Sequence, residues 1–375
     1  MTKLTVMIKP IEHYFFGTEN RRSDDTQNYF LYSLPYPQQT TLIGAMRHLV
    51  LLAYHKANPD EVLLDEKGNI FDRILAGKLI GDTGFRMGIE SNFKKINSIS
   101  ELMLFDGNSV LLPAEQRKDS ESNPSVFDEI EGTTFFNGSQ VEFIPRLEGY
   151  DPKEPEISGW VSPDGKFFAN GDLFKSIIRP GNKKNNAGDD DDDAFYKQKF
   201  YQLANRELCF VVQIDVEDDI QKCLIGNHIM TLGGERSKFT VKIEPSSIES
   251  KTQVPSVSGK KNYYSPNQQF LKVVLTSDAY FKNNPYNDSL FAVTTTKPFR
   301  FLKSSVTKTV NHYNRGKSKA GLLESGLFNL IERGSTFYFK NEKQLQNWKT
   351  SSGIDSKDFN NIGYNQFAII QPKSK

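Results

Sequence analysis

LGGERSKFTVKI, Leu232 to Ile243, is the stretch on which the reading of this chain turns. It predicts the end of a helix, a two-glycine turn and the start of a strand. Gly233 and Gly234 can take positive φ and carry no Cβ, so their amides can turn toward an anion and a phosphate can approach closely. In the strand that follows, period-2 alternation places Phe239, Val241 and Ile243 on one face and Arg236, Lys238, Thr240 and Lys242 on the other. One face reads as core and the other as cationic. Gly233, Gly234, Glu235, Arg236 and Lys238 are therefore a candidate phosphate loop, set against the plainer reading of a glycine helix cap before a half-exposed strand.

Working outward, NRELCFVVQIDV, Asn205 to Val216, alternates Leu208, Phe210, Val212 and Ile214 as a strand, and Asp218 to Gly226 reads as a short helix. Before them, FKSIIRPGNKKNNAGDDDDDAFYKQKFYQL, Phe174 to Leu203, gathers Arg179, Asn182, Lys183 and Lys184 around a Pro-Gly-Asn turn. It then interleaves Phe195, Tyr196, Phe200 and Tyr201 with Lys197 and Lys199. Cations on a protruding hairpin, with aromatics able to stack on bases, are the composition of a single-strand nucleic-acid contact. The five aspartates also fit a solvated loop that neutralises its own lysines.

At the N-terminus, Leu4, Val6 and Ile8 alternate up to Pro10 as a first strand. After Pro35 and Pro37, QQTTLIGAMRHLVLLAY predicts the strongest helix of the chain, with Thr40 or Thr41 as N-cap and an apolar surface almost all round. The free amides at its start, beside Gln38, Gln39, Thr40 and Thr41, form a second candidate phosphate seat. A short helix near Ile70 to Leu79 and a strand at LMLF follow. Pro113 to Gln140 and Gly149 to Gly171, rich in Pro, Gly and acidic residues, read as surface insertions.

The order strand, helix, insertions, strand, helix, strand is the βαββαβ pattern of a ferredoxin-like (RRM-like) domain. Ser246 to Asn267 carries no apolar period, and FLKVVLTSDAYF begins a second unit in which GSTFYFK, EKQLQNWK and IGYNQFAII read as strand, helix, strand. The expected architecture is α+β: a domain over 1–246 with a hairpin at about 174–203, a linker over 247–267 and a smaller ferredoxin-like domain over 268–375. From Ser289 to Leu323 there is no acidic residue, and Lys297, Arg300, Lys303, Lys308, Arg315, Lys317 and Lys319 make a basic patch.

Bulk properties narrow the function classes. A chain of 375 residues can bury two cores, and a net charge of +1 leaves no bulk attraction for nucleic acid, so any such site must come from local clustering. Mean hydropathy of −0.53 and an opening that alternates like a strand predict a cytoplasmic protein without a secretory signal or membrane span. Cys209 and Cys223 alone cannot build a disulfide framework or a cysteine zinc site. The five histidines show no metal-ligand spacing, and neither a P-loop nor a G-x-S-x-G elbow occurs.

The first strand, the PQQTTLIGAMR helix start, FYKQKFYQL, LGGERSKF, ERGSTFYF and NIGY occur in an order and at spacings that resemble the RAMP superfamily of CRISPR proteins, in particular the tag-binding third subunits of type III-B (Cmr) effector complexes. The resemblance covers most of the chain. It implies two ferredoxin-like domains and no cofactor, and the chain reads as a non-catalytic RNA-binding assembly subunit. It also implies binding of the repeat-derived 5′ tag of a CRISPR RNA (crRNA) near the target RNA, and contacts with a large polymerase-like subunit and a backbone subunit. That family's phosphate-contacting helix start falls on Gln38 to Thr41 and Arg47, and its glycine loop on Gly233 to Lys238. Gly17 follows Phe16 where the family often has arginine. The competing class is a metal-independent endoribonuclease of the same fold using His13 or His48, and a third is a protein-binding scaffold.

Overall fold

The computed structural model describes residues 2–17, 29–116, 131–137, 140–146, 158–182, 195–235, 237–246, 271–303, 311–314, 317–320 and 323–370. The chain forms two compact units, each drawn from three stretches. One comprises Met1–Ile99, Gly171–Ser247 and Phe299–Leu327, the other Ser100–Asn170, Ile248–Pro298 and Phe328–Lys375.

In the first unit, β1 (Thr2–Pro10) buries Leu4, Val6 and Ile8 completely, as their alternation requires. Two helices follow, α1 (Gln39–Ala57) and α2 (Arg73–Ile80), and then β2 (Ile96–Ile99). α1 buries Leu42, Ile43, Met46, Leu49, Val50, Leu51 and Ala53. α2 starts at Asp72, whose carboxylate accepts from the amides of Ile74 and Leu75 at 2.9 Å each, satisfying donors that would otherwise be free in the first turn. The chain continues through a hairpin, β3 (Phe174–Asn182) and β4 (Phe195–Leu203), to β5 (Cys209–Val216), α3 (Asp218–Leu224), β6 (Gly226–Thr231) and β7 (Lys238–Pro245). β1 pairs antiparallel with β5 and with β7, β5 with β2, and β7 with β6. Counted along the chain, the four strands β1, β2, β5 and β7 lie in the order second, third, first, fourth, and β6 adds an outer edge.

The hairpin is paired through its full described length, from Phe174↔Leu203 to Asn182↔Phe195, and the strand Tyr29–Leu31 runs parallel to β4. The side chains of β3 are exposed from Lys175 to Pro180, while Gln198 of β4 is buried.

The second unit holds β8 (Leu271–Leu275), β9 (Phe291–Val293), β10 (Thr336–Phe339), α4 (Glu342–Ser352) and β11 (Phe367–Ile370). Its sheet is β9-β10-β8-β11, again antiparallel and again second, third, first, fourth. Trp348 of α4 lies fully buried against Phe337 and Phe339, with ring centroids 5.2 and 5.3 Å away, and its indole N–H donates to the Pro285 carbonyl at 2.9 Å. Strands Met103–Phe105, Val110–Pro113, Gly159–Val161 and Phe167–Ala169 belong to the same unit.

Among the described residues, three buried ion pairs hold the second unit. Lys272 Nζ meets Glu115 Oε2 at 2.8 Å with both side chains 3% exposed. The Asp278 carboxylate takes Lys297 Nζ at 2.5 Å, Arg333 Nη2 at 3.4 Å and the Arg333 amide at 3.1 Å. Burial alone would raise the pKa of Asp278, but Lys297 and Arg333 outweigh it and hold the carboxyl well below the usual carboxylate range. The next residue, Gly334, has a φ of +84°, and a Cβ there would stand 2.4 Å from the Ala114 carbonyl oxygen, so only glycine fits the turn.

Several expectations are corrected. The residues before the two glycines form β6, not a helix. α1 is capped by Gln38 through its carbonyl, which accepts from Thr41 and Leu42 at 3.0 Å, and not by a threonine side chain. Trp160 and Val161 are core residues inside a stretch expected to be a surface insertion. The units interleave along the chain instead of dividing at 247–267, which itself lies outside the described residues. Lys297 is consumed by Asp278 and leaves the basic patch; the side chains of Lys308, Arg315, Lys317 and Lys319 lie outside the described residues.

Replacing Asp278 with asparagine strands two buried cations and should lower the unfolding free energy by about 3–5 kcal/mol in urea denaturation at neutral pH. Because the folded pKa is depressed, the stabilisation is complete above the unfolded value near ~4 and is lost as pH falls below it. The gap between wild type and Asp278→Asn should therefore narrow on acidification below about pH 4.

Candidate functional site

The glycine loop is the turn of the β6-β7 hairpin. The Leu232 amide donates to the Ser237 carbonyl at 3.0 Å, and the Ser237 amide to the Gly234 carbonyl at 3.3 Å. Gly233 has a φ of +79°, and a Cβ on it would lie 2.5 Å from the Phe15 carbonyl oxygen and 2.6 Å from the Phe16 ring. Glu235 also takes a left-handed φ of +55°. The loop is thus folded tightly over the segment that leaves β1, while Gly233, Gly234 and Glu235 stay exposed on its outer side.

That segment, Ile11 to Phe16, is held from both sides. The Ile11 amide donates to the Lys238 carbonyl at 3.0 Å and the Gly234 amide donates to the Phe15 carbonyl at 2.9 Å. On the other side Tyr14 and Tyr201 of β4 exchange backbone hydrogen bonds of 2.8 and 3.0 Å. The Tyr14 ring is fully buried, its hydroxyl donates to the Pro35 carbonyl at 2.7 Å, and burial and then Tyr201 push its pKa well up. The Phe15 ring contacts Phe200 at 5.8 Å, and the Arg179 guanidinium lies 5.3 Å over Phe200. Arg179 Nη2 reaches His13 Nδ1 at 3.1 Å; since arginine only donates, Nδ1 accepts and the ring proton sits on Nε2. Lys199 Nζ lies 5.0 Å over the Tyr201 ring. A chain of contacts therefore runs from Gly234 through Phe15 and Phe200 to Arg179 and His13. It joins two sequence candidates, the glycine loop and the hairpin, through a third element that composition did not single out.

The other candidates lie elsewhere. Gln39 is fully buried, and Gln38, Thr40 and Thr41 are half-buried at the start of α1. Arg47 is 6% exposed; its Nε and Nη2 donate to the Ile80 and Gly81 carbonyls at 3.0 Å each, and the guanidinium lies 5.7 Å from the Phe93 ring. Burial lowers its pKa to about 10, with Asp82 opposing the shift. Arg47 ties α1 to the carbonyl end of α2, where the partial charge is negative, and is not open to a phosphate. Lys238 is exposed beside the glycine loop. Arg236, Lys183 and Lys184, and the side chain of Asn182, lie outside the described residues. His48 is half-buried on α1, and burial lowers its pKa. Among the described residues no group of three or more His, Cys, Asp or Glu side chains is placed to hold a metal, and no helix is long and apolar enough to cross a membrane.

Gly233→Ala should cost about 1–3 kcal/mol in thermal denaturation, because the added carbon meets a backbone oxygen at positive φ. Gly234→Ala should cost less, since its Cβ meets the Phe15 ring at 2.9 Å and a ring can turn aside. Equal losses at the two positions would contradict the geometry.

Comparison with known proteins adds three findings. No curated protein matches the chain. Two solved chains align with it: one from a cryo-EM structure of the type III-B Cmr-beta complex bound to cognate target RNA, at 13% identity and TM-score 0.48 over 98% of this chain and 99% of that one. The other, from the same complex with target RNA and AMPPnP, aligns at 12% identity and TM-score 0.46 over 97% and 95%. The CRISPR-associated Cas_Cmr3 family matches residues 146–372, a span that takes in the hairpin, the glycine loop, the Asp278–Arg333 node and α4. A match over more than half of the chain places these landmarks in a single family, and the protein belongs to the Cas_Cmr3 family of CRISPR-associated proteins.

Proposed function

We propose that the chain is a non-catalytic RNA-binding subunit of a type III-B CRISPR effector, built on two ferredoxin-like domains, which holds the repeat-derived 5′ tag of the crRNA. The single observation that carries the RNA-binding part is the contact chain from the Gly233–Gly234 loop through Phe15 and Phe200 to Arg179. It brings an exposed turn, with Lys238 beside it, into one arrangement with a cationic, aromatic arm. The repeated second-third-first-fourth strand order supports the ferredoxin-like reading. In this reading the loop and Lys238 meet tag phosphates, and the exposed Glu235 carboxylate accepts from a base or a ribose hydroxyl. The arm, with Arg179, reaches toward the paired guide and target, and the remaining surfaces dock a large polymerase-like subunit and a backbone subunit.

The test is Arg179→Ala combined with Lys238→Ala. Charge-assisted hydrogen bonds are worth roughly 1.5–3 kcal/mol each, and every ~1.4 kcal/mol is tenfold in affinity. Filter binding of tag RNA at physiological salt should weaken at least about tenfold, while the melting temperature stays close to wild type because both side chains are exposed. Unchanged tag binding would overturn the proposed site. A second reading draws support from His13, which stands in the same contact chain with Nε2 carrying a proton. If repeat RNA incubated with the protein in EDTA acquires a 2′,3′-cyclic phosphate end, and His13→Ala abolishes it, the chain is an endoribonuclease.

A further inference from the structure

β6 is the last strand on one side of the first unit's sheet, and among the described residues nothing pairs with its outer edge. The hydrogen-bond phase shows which groups face outward. The Lys238 carbonyl bonds toward the β1 side, through Ile11, and Leu232 bonds inward to Ser237. By alternation, Gly226, His228 and Met230 bond to β7, opposite Ile243, Val241 and Phe239. Asn227, Ile229 and Thr231 therefore turn their N–H and C=O groups away from the sheet. Their side chains are exposed as well, Ile229 by 65%.

Solvent-facing edges are ordinarily guarded by lysine, proline or a bulge. β3, the outer strand of the hairpin sheet, follows that rule with Lys175, Arg179 and Pro180. β6 does not. GNHIMT contains no proline, no lysine or arginine and no carboxylate, and its register with β7 runs without a shift from Gly226↔Ile243 to Thr231↔Lys238.

We propose that this edge receives an extended segment of a partner protein subunit as an added antiparallel or parallel strand. Alternating main-chain donors and acceptors at strand spacing select an extended polypeptide over a helix or a nucleic acid. Ile229 asks for an apolar residue beside it on the open face. Lys238, two strands or about 10 Å from the added strand, favours neutral to acidic residues over basic ones. A second copy of this chain would instead bring another lysine-bearing β7 to the same face. The inference rests on the reading above that the chain works as one subunit of a multi-protein effector.

Residue-resolved hydrogen exchange tests it, comparing the chain alone with the effector purified through the tagged chain. The amides of Asn227, Ile229 and Thr231 should exchange at least tenfold more slowly in the effector. Ile229→Lys with Thr231→Pro places a charge and a missing donor on the outer edge while sparing the bonds to β7. It should release a partner protein without shifting the melting temperature of the isolated chain. Unchanged exchange at the three amides in a complex that still contains other proteins would overturn the edge proposal alone. Purification with no other protein would overturn the subunit reading beneath it. Protection that rises with concentration of the chain alone would overturn the partner proposal and assign the edge to a second copy.

Discussion

The first unit depends on one close approach: the Phe15 carbonyl comes so near Gly233 that no side chain fits between them. Because the Gly234 amide closes on the same carbonyl at 2.9 Å, the β6-β7 turn and the segment leaving β1 become one rigid piece. Phe16 stacks near Phe239 at 6.0 Å beneath it, and Phe15 passes the contact on to Phe200 of the hairpin. The glycines thus serve packing on one side of the backbone and remain open on the other. A turn fixed in this way presents its exposed face without losing much entropy on binding.

The elements that the amino-acid sequence declared most clearly were those whose burial follows a simple period. β1, β5, β7 and α4 appear where alternation or helical spacing put them, since each has one face in a core. β6 is illegible as a strand because an edge strand buries little: Met230 points inward and Ile229 outward, and six residues give no period to count. Family resemblance points Arg47 at RNA, yet it sits in a helix that is apolar on nearly every side, and that setting is the signal that its guanidinium is inside. The contact of Arg179 with His13 joins residues 166 apart, and no local pattern encodes it.

Both units repeat one strand order with different internal supports. The first is held mainly by apolar residues, such as Val6 of β1, Leu42 of α1, Val212 of β5 and Val241 of β7. The second places charges inside: Asp278 with Lys297 and Arg333, and Lys272 with Glu115. Buried charges are costly to desolvate, so such a core tolerates little exchange at any member. This accounts for the ERGS run of Glu332 to Ser335, where Arg333 closes the ion cluster and Gly334 lets the turn tuck under Ala114.

The interleaving of the units has a consequence for the chain as it leaves the ribosome. Trp160 and the strands around it belong with β8 and with the turn at Arg333, whose side chain lies 5.9 Å from the Trp160 ring, but β8 begins only at Leu271. At synthesis rates of about 5–20 residues per second, roughly 5–20 s separate the emergence of Asn170 from that of Leu271. Throughout that interval the Trp160 strands lack the β8 and Arg333 partners they have in the folded chain. A chaperone or an already assembled neighbour has its opportunity during that wait, and slow translation would lengthen the period in which these strands can aggregate.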